Sequence, residues 1–224
     1  MDERHCLMLH GFTGGPYELT PLAEHLSKRG TVCHVPELPG HDPELLTLGQ
    51  VQWDDWLSAA SEAADDLTRR YGAIDLIGFS MGGLLSAYIA NRFPVRKLVL
   101  LNAAVYYPSP LRLIKDVARR ARSNDWYKWN GKMKKTPWKA TLQFIALNKR
   151  MRHEIPHVTV PTYIAQGEQD HIIHPKSARF LYSQLRGEKE LHLFRDTRHM
   201  ICLEAEAPEL FDSVERFLYK HDER

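Results

Sequence analysis

Six short apolar runs, separated by helical patterns, restrict this sequence to few architectures. The runs are Cys6–Leu9, Thr31–Val35, Ile74–Phe79, Lys97–Leu101, Thr162–Gln166 and Glu190–Phe194. Each has the length of a buried strand and ends in turn or loop residues. Most are near-continuous hydrophobics rather than strict alternations, the pattern of parallel strands covered on both faces. Between them, Tyr17–Arg29 carries Leu19, Leu22, Ala23 and Leu26 on one helical face, and Gly30 stops it. Val51–Tyr71 is a longer amphipathic stretch closed by Gly72, and Met81–Arg92 follows a glycine-rich turn. Pro175–Leu185 and Pro208–Lys220 read as two more helices, each opened by proline. Alternating strands and helices predict a doubly wound α/β fold, its mostly parallel sheet having about six to seven strands with helices on both faces.

The stretch 106–157 breaks that rhythm. It holds thirteen Lys and Arg against Asp116, Asp125 and Glu154, and it carries Trp126, Tyr127, Trp129 and Trp138. The expected organisation is one core, 1–105 with 158–224, and a small helical cap inserted at 106–157. Two readings of the cap stand side by side. Its aromatics could line an acyl pocket while its cations favour weak association with an anionic lipid surface. Alternatively, it is a solvated helical face with its tryptophans turned inward.

A formal charge of +2 over 224 residues gives no reason to expect a nucleic-acid partner. The start, Met-Asp-Glu-Arg-His, enters an apolar run without a basic leader, and no apolar stretch is long enough to span a bilayer. The expectation is a cytoplasmic chain. Cys6, Cys33 and Cys202 form no spacing ladder, which favours free thiols in a reducing compartment; a Cys6–Cys33 disulfide is the lesser alternative.

The strongest chemical signal is Gly78-Phe79-Ser80-Met81-Gly82-Gly83, a G-x-S-x-G pattern between an apolar strand and a helix. Such a turn projects a serine hydroxyl above the sheet edge, and the small residues on either side prevent collisions. A serine needs a base to take its proton. His199, in the loop after the last strand, is favoured over His192 within that strand and His221 in the tail. The acid should follow the preceding strand, which selects Asp170, with Glu168 second and Asp196 too near the base along the chain. The loop His10-Gly11-Phe12-Thr13-Gly14-Gly15 after the first strand lacks the lysine of a phosphate-binding loop. It suits an oxyanion hole, with backbone N–H donors from Phe12 and Met81 and with His10 bracing the loop. Asp170, His171 and His174 could be read as a metal cluster, but no third ligand with a supporting shell stands out, so no metal and no cofactor are expected.

These residues resemble the α/β-hydrolase superfamily, and more narrowly the bacterial carboxylesterase and monoacylglycerol lipase group. The matching pieces are His10–Pro16, Pro39-Gly40-His41, Trp53-Asp54-Asp55-Trp56, Gly78–Gly83, Thr136-Pro137-Trp138-Lys139, Gln166–Asp170 and Arg198-His199. The resemblance runs along nearly the whole chain. It implies the α/β-hydrolase fold, with Ser80, Asp170 and His199 as catalytic triad and Phe12 and Met81 as oxyanion donors. It further implies a cofactor-free serine esterase acting on small substrates, short- to medium-chain acyl esters or monoacylglycerols. Asp42 is a departure, since relatives often have glycine there, and the oxyanion strand lies almost at Met1, which implies a minimal sheet. The competing expectations are a thioesterase, lysophospholipase or peptidase on the same scaffold, and a non-catalytic binding module.

Overall fold

A computed structural model of the chain describes residues 3–106 and 136–220. The apolar runs form β1 (Arg4–Leu9), β2 (Thr31–His34), β3 (Ile74–Phe79), β4 (Val95–Leu101), β5 (Thr162–Gly167) and β6 (Lys189–Phe194). They make one six-stranded sheet in the order β2-β1-β3-β4-β5-β6. Every pairing is parallel. The helices are α1 (Thr20–Ser27), α2 (Trp53–Tyr71), α3 (Met81–Ala90), α4 (Trp138–Met151), α5 (Lys176–Gln184) and α6 (Ala207–Tyr219). The architecture is the α/β fold expected from the run-and-helix pattern, with six strands.

Alternation is hidden in the sequence because both sheet faces are covered. Along β1, Leu7 and Leu9 enter the core beneath α2 and α3, while Cys6 and Met8 enter the one beneath α1 and α6. Along β4, Leu98 and Leu100 take the first face, Val99 and Leu101 the second. The two-residue period of a strand thus feeds two cores from one continuous apolar run.

The helix ends follow local chemistry. Pro16–Glu18 form a short 3-10 turn ahead of α1, so the helical pattern from Tyr17 starts as a tighter turn. The α2 helix opens with a capping box between Gln52 and Asp55 and closes at Gly72, which has φ 73°. Asp75 is fully buried inside β3 and is held by a fork of bonds from Arg4, one of them 3.2 Å.

Of the stretch expected to form a cap, 106–157, residue 106 and residues 136–157 are described. Trp126, Tyr127, Trp129 and the lysines and arginines from 112 to 135 lie outside the described residues. Helix α4 is joined to the core: Ala140, Phe144, Leu147 and Met151 are buried in the same cluster as α2 and α3. Its Gln143 accepts from the Trp53 backbone N–H at 3.2 Å, and its Asn148 amide donates to the Ala104 and Val105 carbonyls in the loop after β4. Among the described residues no helix is long and apolar enough to cross a membrane.

Candidate active site

The strand order changes direction between β1 and β3. The chain moves outward from β1 to β2, then returns to the other side of β1 for β3 and continues to β6. In open α/β sheets the crevice beyond the carboxyl ends at such a switch point is where ligands bind. Here those two strand ends carry the Gly-rich first loop and Ser80, with Leu9 opposite Gly78 in the register.

Ser80 sits at the turn between β3 and α3 with φ 52° and ψ −112°. A non-glycine residue there stores backbone strain, which the surrounding structure must hold. The holding groups are visible. The Ser80 N–H donates to the Leu101 carbonyl at 2.9 Å, and the Ser80 carbonyl accepts from Gly83 and Ala104 N–H at 3.1 Å each. A Cβ on Gly78 would come within 2.6 Å of the Gly83 Cα, and one on Gly82 would meet the Leu9 carbonyl and lie 2.8 Å from the His10 oxygen. The first turn of α3 is therefore pressed against the loop after β1, which carries Phe12.

That loop is pinned from two sides. His10 is fully buried; its Nε2 accepts from the Leu38 N–H at 3.0 Å, so Nδ1 carries the proton and donates to the Gly11 carbonyl at 3.0 Å. Burial first, and the neighbouring His41 second, push its pKa down to about 3. On the other side the Gly11 N–H donates to the buried Glu18 carboxylate at 2.8 Å. That carboxylate fills the space where a Gly14 side chain would be. Phe12 itself stacks on Phe144 of α4, with ring centres 5.0 Å apart, and meets the Trp56 ring edgewise at 5.7 Å. Met81 is buried as the first residue of α3.

The loops after β5 and β6 supply the other two candidates. Asp170 and His199 come together, with Asp170 Oδ2 2.7 Å from His199 Nδ1. The Asp170 side chain is fully buried, while that of His199 is 11% exposed. Asp170 Oδ1 accepts from the Ile172 and Ile173 N–H groups, both at 2.8 Å. Those donors fix the carboxylate plane and leave Oδ2 for the imidazole. The His199 ring packs at 5.0 Å against Phe79, the residue preceding Ser80. The rival acids Glu168 and Asp196 are both exposed. His192 stacks on Phe194 at 4.4 Å and lies 3.5 Å from Glu209, a paired position within the strand.

Asn102, which the sequence did not single out, ties these loops together. It follows β4, is fully buried and has φ 43°. Its Nδ2 donates to the Arg198 and His199 carbonyls at 3.1 and 2.7 Å, and its Oδ1 accepts from the Gly167 N–H at 2.8 Å. One amide therefore spans the loop of Asp170 and the loop of His199. The only signal in the sequence was a polar residue ending an apolar strand ahead of Ala103-Ala104. Gly167 lets the two loops touch, since a Cβ there would lie 2.7 Å from the Arg198 carbonyl. Asp42, the departure from the usual glycine, accepts from the Glu44 and Leu46 N–H groups at 3.1 and 3.3 Å and closes its own turn. Among the described residues no group of three or more His, Cys, Asp or Glu side chains is placed to hold a metal ion.

Fold and site geometry together define a class: the chain belongs to the alpha/beta hydrolase family, whose profile matches residues 6–213. Within that class it is 28% identical to a thermostable monoacylglycerol lipase of Bacillus sp. (strain H-257), over 96% of this chain and 90% of that one. It is 27% identical to a carboxylesterase of Bacillus subtilis (strain 168), over 98% and 94% of the two chains. Among solved structures, one from a study of the metagenome-derived lipolytic enzymes LipS and LipT superposes with a TM-score of 0.82 at 24% identity, covering 98% of this chain and 95% of that one. The Paleococcus ferrophilus monoacylglycerol lipase gives 0.78 at 17% identity, covering 97% and 94%. At those identities the structural matches speak to the fold.

Proposed function

We propose that the protein is a serine hydrolase of carboxylic esters, with short- to medium-chain acyl esters or monoacylglycerols as substrates. The observation that carries this reading is the buried Asp170 carboxylate hydrogen-bonded at 2.7 Å to His199, in a loop packed against the residue before Ser80. The relatives named monoacylglycerol lipase and carboxylesterase support the same substrate class.

In the proposed reaction, Ser80 Oγ attacks the ester carbonyl while His199 Nε2 takes its proton. Asp170 holds Nδ1–H, and so the productive tautomer, and stabilises the imidazolium. The carbonyl oxygen becomes an oxyanion, for which the N–H groups of Phe12 and Met81 are the proposed donors. Collapse of the intermediate expels the alcohol, which takes the proton from His199 and leaves an acyl group on Ser80. Water then enters, gives a proton to His199, and attacks the acyl carbonyl; the acid departs and Ser80 recovers its proton. No cofactor is needed for any step.

A ladder of p-nitrophenyl esters from acetate to palmitate, with monoacylglycerol and acyl-CoA in parallel, tests the reading. The expected result is ester hydrolysis that peaks at a short or medium chain and a Ser80→Ala variant that folds normally but loses on the order of 10⁶ in kcat. Near-normal hydrolysis by that variant contradicts the mechanism, and a flat ladder contradicts a size-limited acyl pocket.

A further inference from the structure

Two of the three thiols left out of the chemistry above lie opposite each other on neighbouring strands. Cys6 of β1 and Cys33 of β2 are partners in the parallel register. Paired residues on parallel strands send their side chains to the same face, and both thiols belong to the α1 side of the sheet. Adjacent strands run about 4.8 Å apart, inside the roughly 4.4–6.8 Å Cα separation that a disulfide spans. Strand β2 is four residues long and, among the described residues, pairs with β1 alone at the edge of the sheet, so no second strand resists the small approach that bridging needs.

The two positions differ in access. Cys6 is fully buried. Cys33 is half-buried and lines a depression of about 590 Å³ between α1 and β2, together with Glu24, Ser27 and Lys28. One thiol is thus reached from solvent and the other waits behind it, an arrangement suited to an attacking and a resolving sulfur.

We propose that Cys33 and Cys6 form a thiol oxidation site whose co-substrate is a hydroperoxide. The Cys33 thiolate attacks the terminal peroxide oxygen; an S–O bond forms, the O–O bond breaks, and the alcohol, or water from hydrogen peroxide, departs with a proton. Cys6 sulfur then attacks the sulfenic sulfur, the S–S bond forms, and hydroxide leaves with the Cys6 proton as water. The two thiols lose two electrons and the peroxide gains them.

The electrostatics favour Cys33 as the attacking sulfur. The neighbouring Cys6 thiol, and Ser27 after it, hold the Cys33 thiol below its ordinary range, against burial and Asp75. Burial pushes Cys6 well up, helped by the neighbouring Cys33 and by Asp75, against the pull of Arg4. It therefore stays protonated until its proton leaves with the departing hydroxide. Cys202 is buried and pushed well up, first by burial and then by Glu18, and serves as the internal control. The chain between Cys6 and Cys33 carries the loop of Phe12 and all of α1, so the bond closes a segment beside the candidate oxyanion hole.

The experiment treats the reduced full-length protein with one to ten equivalents of hydrogen peroxide, alkylates it, and reads intact mass and linked peptides. The expected product is monomeric and lighter by two hydrogens, about 2 Da. It has a Cys6–Cys33 peptide pair and an alkylatable Cys202 after denaturation, and dithiothreitol reverses the change. Its thermal midpoint should also rise, because the bond restricts the unfolded chain. In Cys6→Ala, Cys33 should stop at a sulfenic acid that dimedone traps; in Cys33→Ser no linked pair should form. The proposal is overturned if wild-type Cys33 goes on to a sulfinic acid while Cys6 stays free. It is equally overturned if both thiols survive conditions that oxidise glutathione in the same tube. None of these readouts depends on ester hydrolysis, so their failure is separate from any failure of the proposed function.

Discussion

Asn102 shows how one side chain can hold a site together. Its amide satisfies one buried N–H and two carbonyls on two different loops. Asn102→Ala leaves the buried Gly167 N–H without this partner, removes a donor from the Arg198 carbonyl and one of two donors from the His199 carbonyl, which keeps Ile201 N–H, and places alanine at φ 43°. An unsatisfied buried group costs about 1–3 kcal/mol. The expected result is destabilisation of at least that size in urea, together with a fall in kcat larger than any change in KM, since loop placement is what is lost. Unchanged kcat with full stability would remove the residue from this role. Gly82 is a second residue-scale test. Gly82→Ala drives a methyl group into the Leu9 carbonyl, so hydrolysis should be lost even where circular dichroism shows a folded chain.

At the scale of elements, α4 packs against the loop that carries Phe12. Phe144 is buried and stacked on Phe12, the residue proposed to supply an oxyanion donor. Phe144→Ala should cost about 3–5 kcal/mol. It should also raise KM for longer acyl chains more than for acetate, as a chain-length series on the variant would show. The elements themselves were largely legible from sequence. Strands buried on both faces read as continuous apolar runs, and the helices announced themselves through proline and glycine ends. What stayed hidden depends on partners distant in the chain. Asp75 passed as part of an apolar strand because nothing nearby signals that Arg4 reaches it. Glu18 lies in the 3-10 turn before α1, and its bond to Gly11 is fixed by that turn and not by any helical period. The Asp170–His199 pair was legible because both loops follow identifiable strands, whereas the Asn102 tie needs three strand ends brought together in space.

For the whole molecule, stability and site share the same buried polar groups. Breaking a buried ion pair typically costs about 3–5 kcal/mol, and Arg4–Asp75 anchors β1 to β3, the two strands that flank the switch point. Asp75→Asn should lower the urea midpoint accordingly. His10 adds a pH dependence whose sign is fixed. Folded, it stays neutral down to about 3; its ordinary value is 6.5. Between those values the unfolded chain binds the extra proton, so stability falls as pH drops from 6.5 toward 3, by up to about 1.4 kcal/mol per pH unit. Urea midpoints across that range should fall more steeply for the wild type than for His10→Gln. The proposed triad requires three strand-end loops to act as one unit, and the most direct measurement is the rate and position of labelling by a fluorophosphonate probe, mapped by peptide mass. A single adduct on Ser80, slowed by orders of magnitude in His199→Ala and less severely in Asp170→Asn, is the predicted result. An unlabelled Ser80 in the folded wild-type protein, or labelling indifferent to His199, would contradict it.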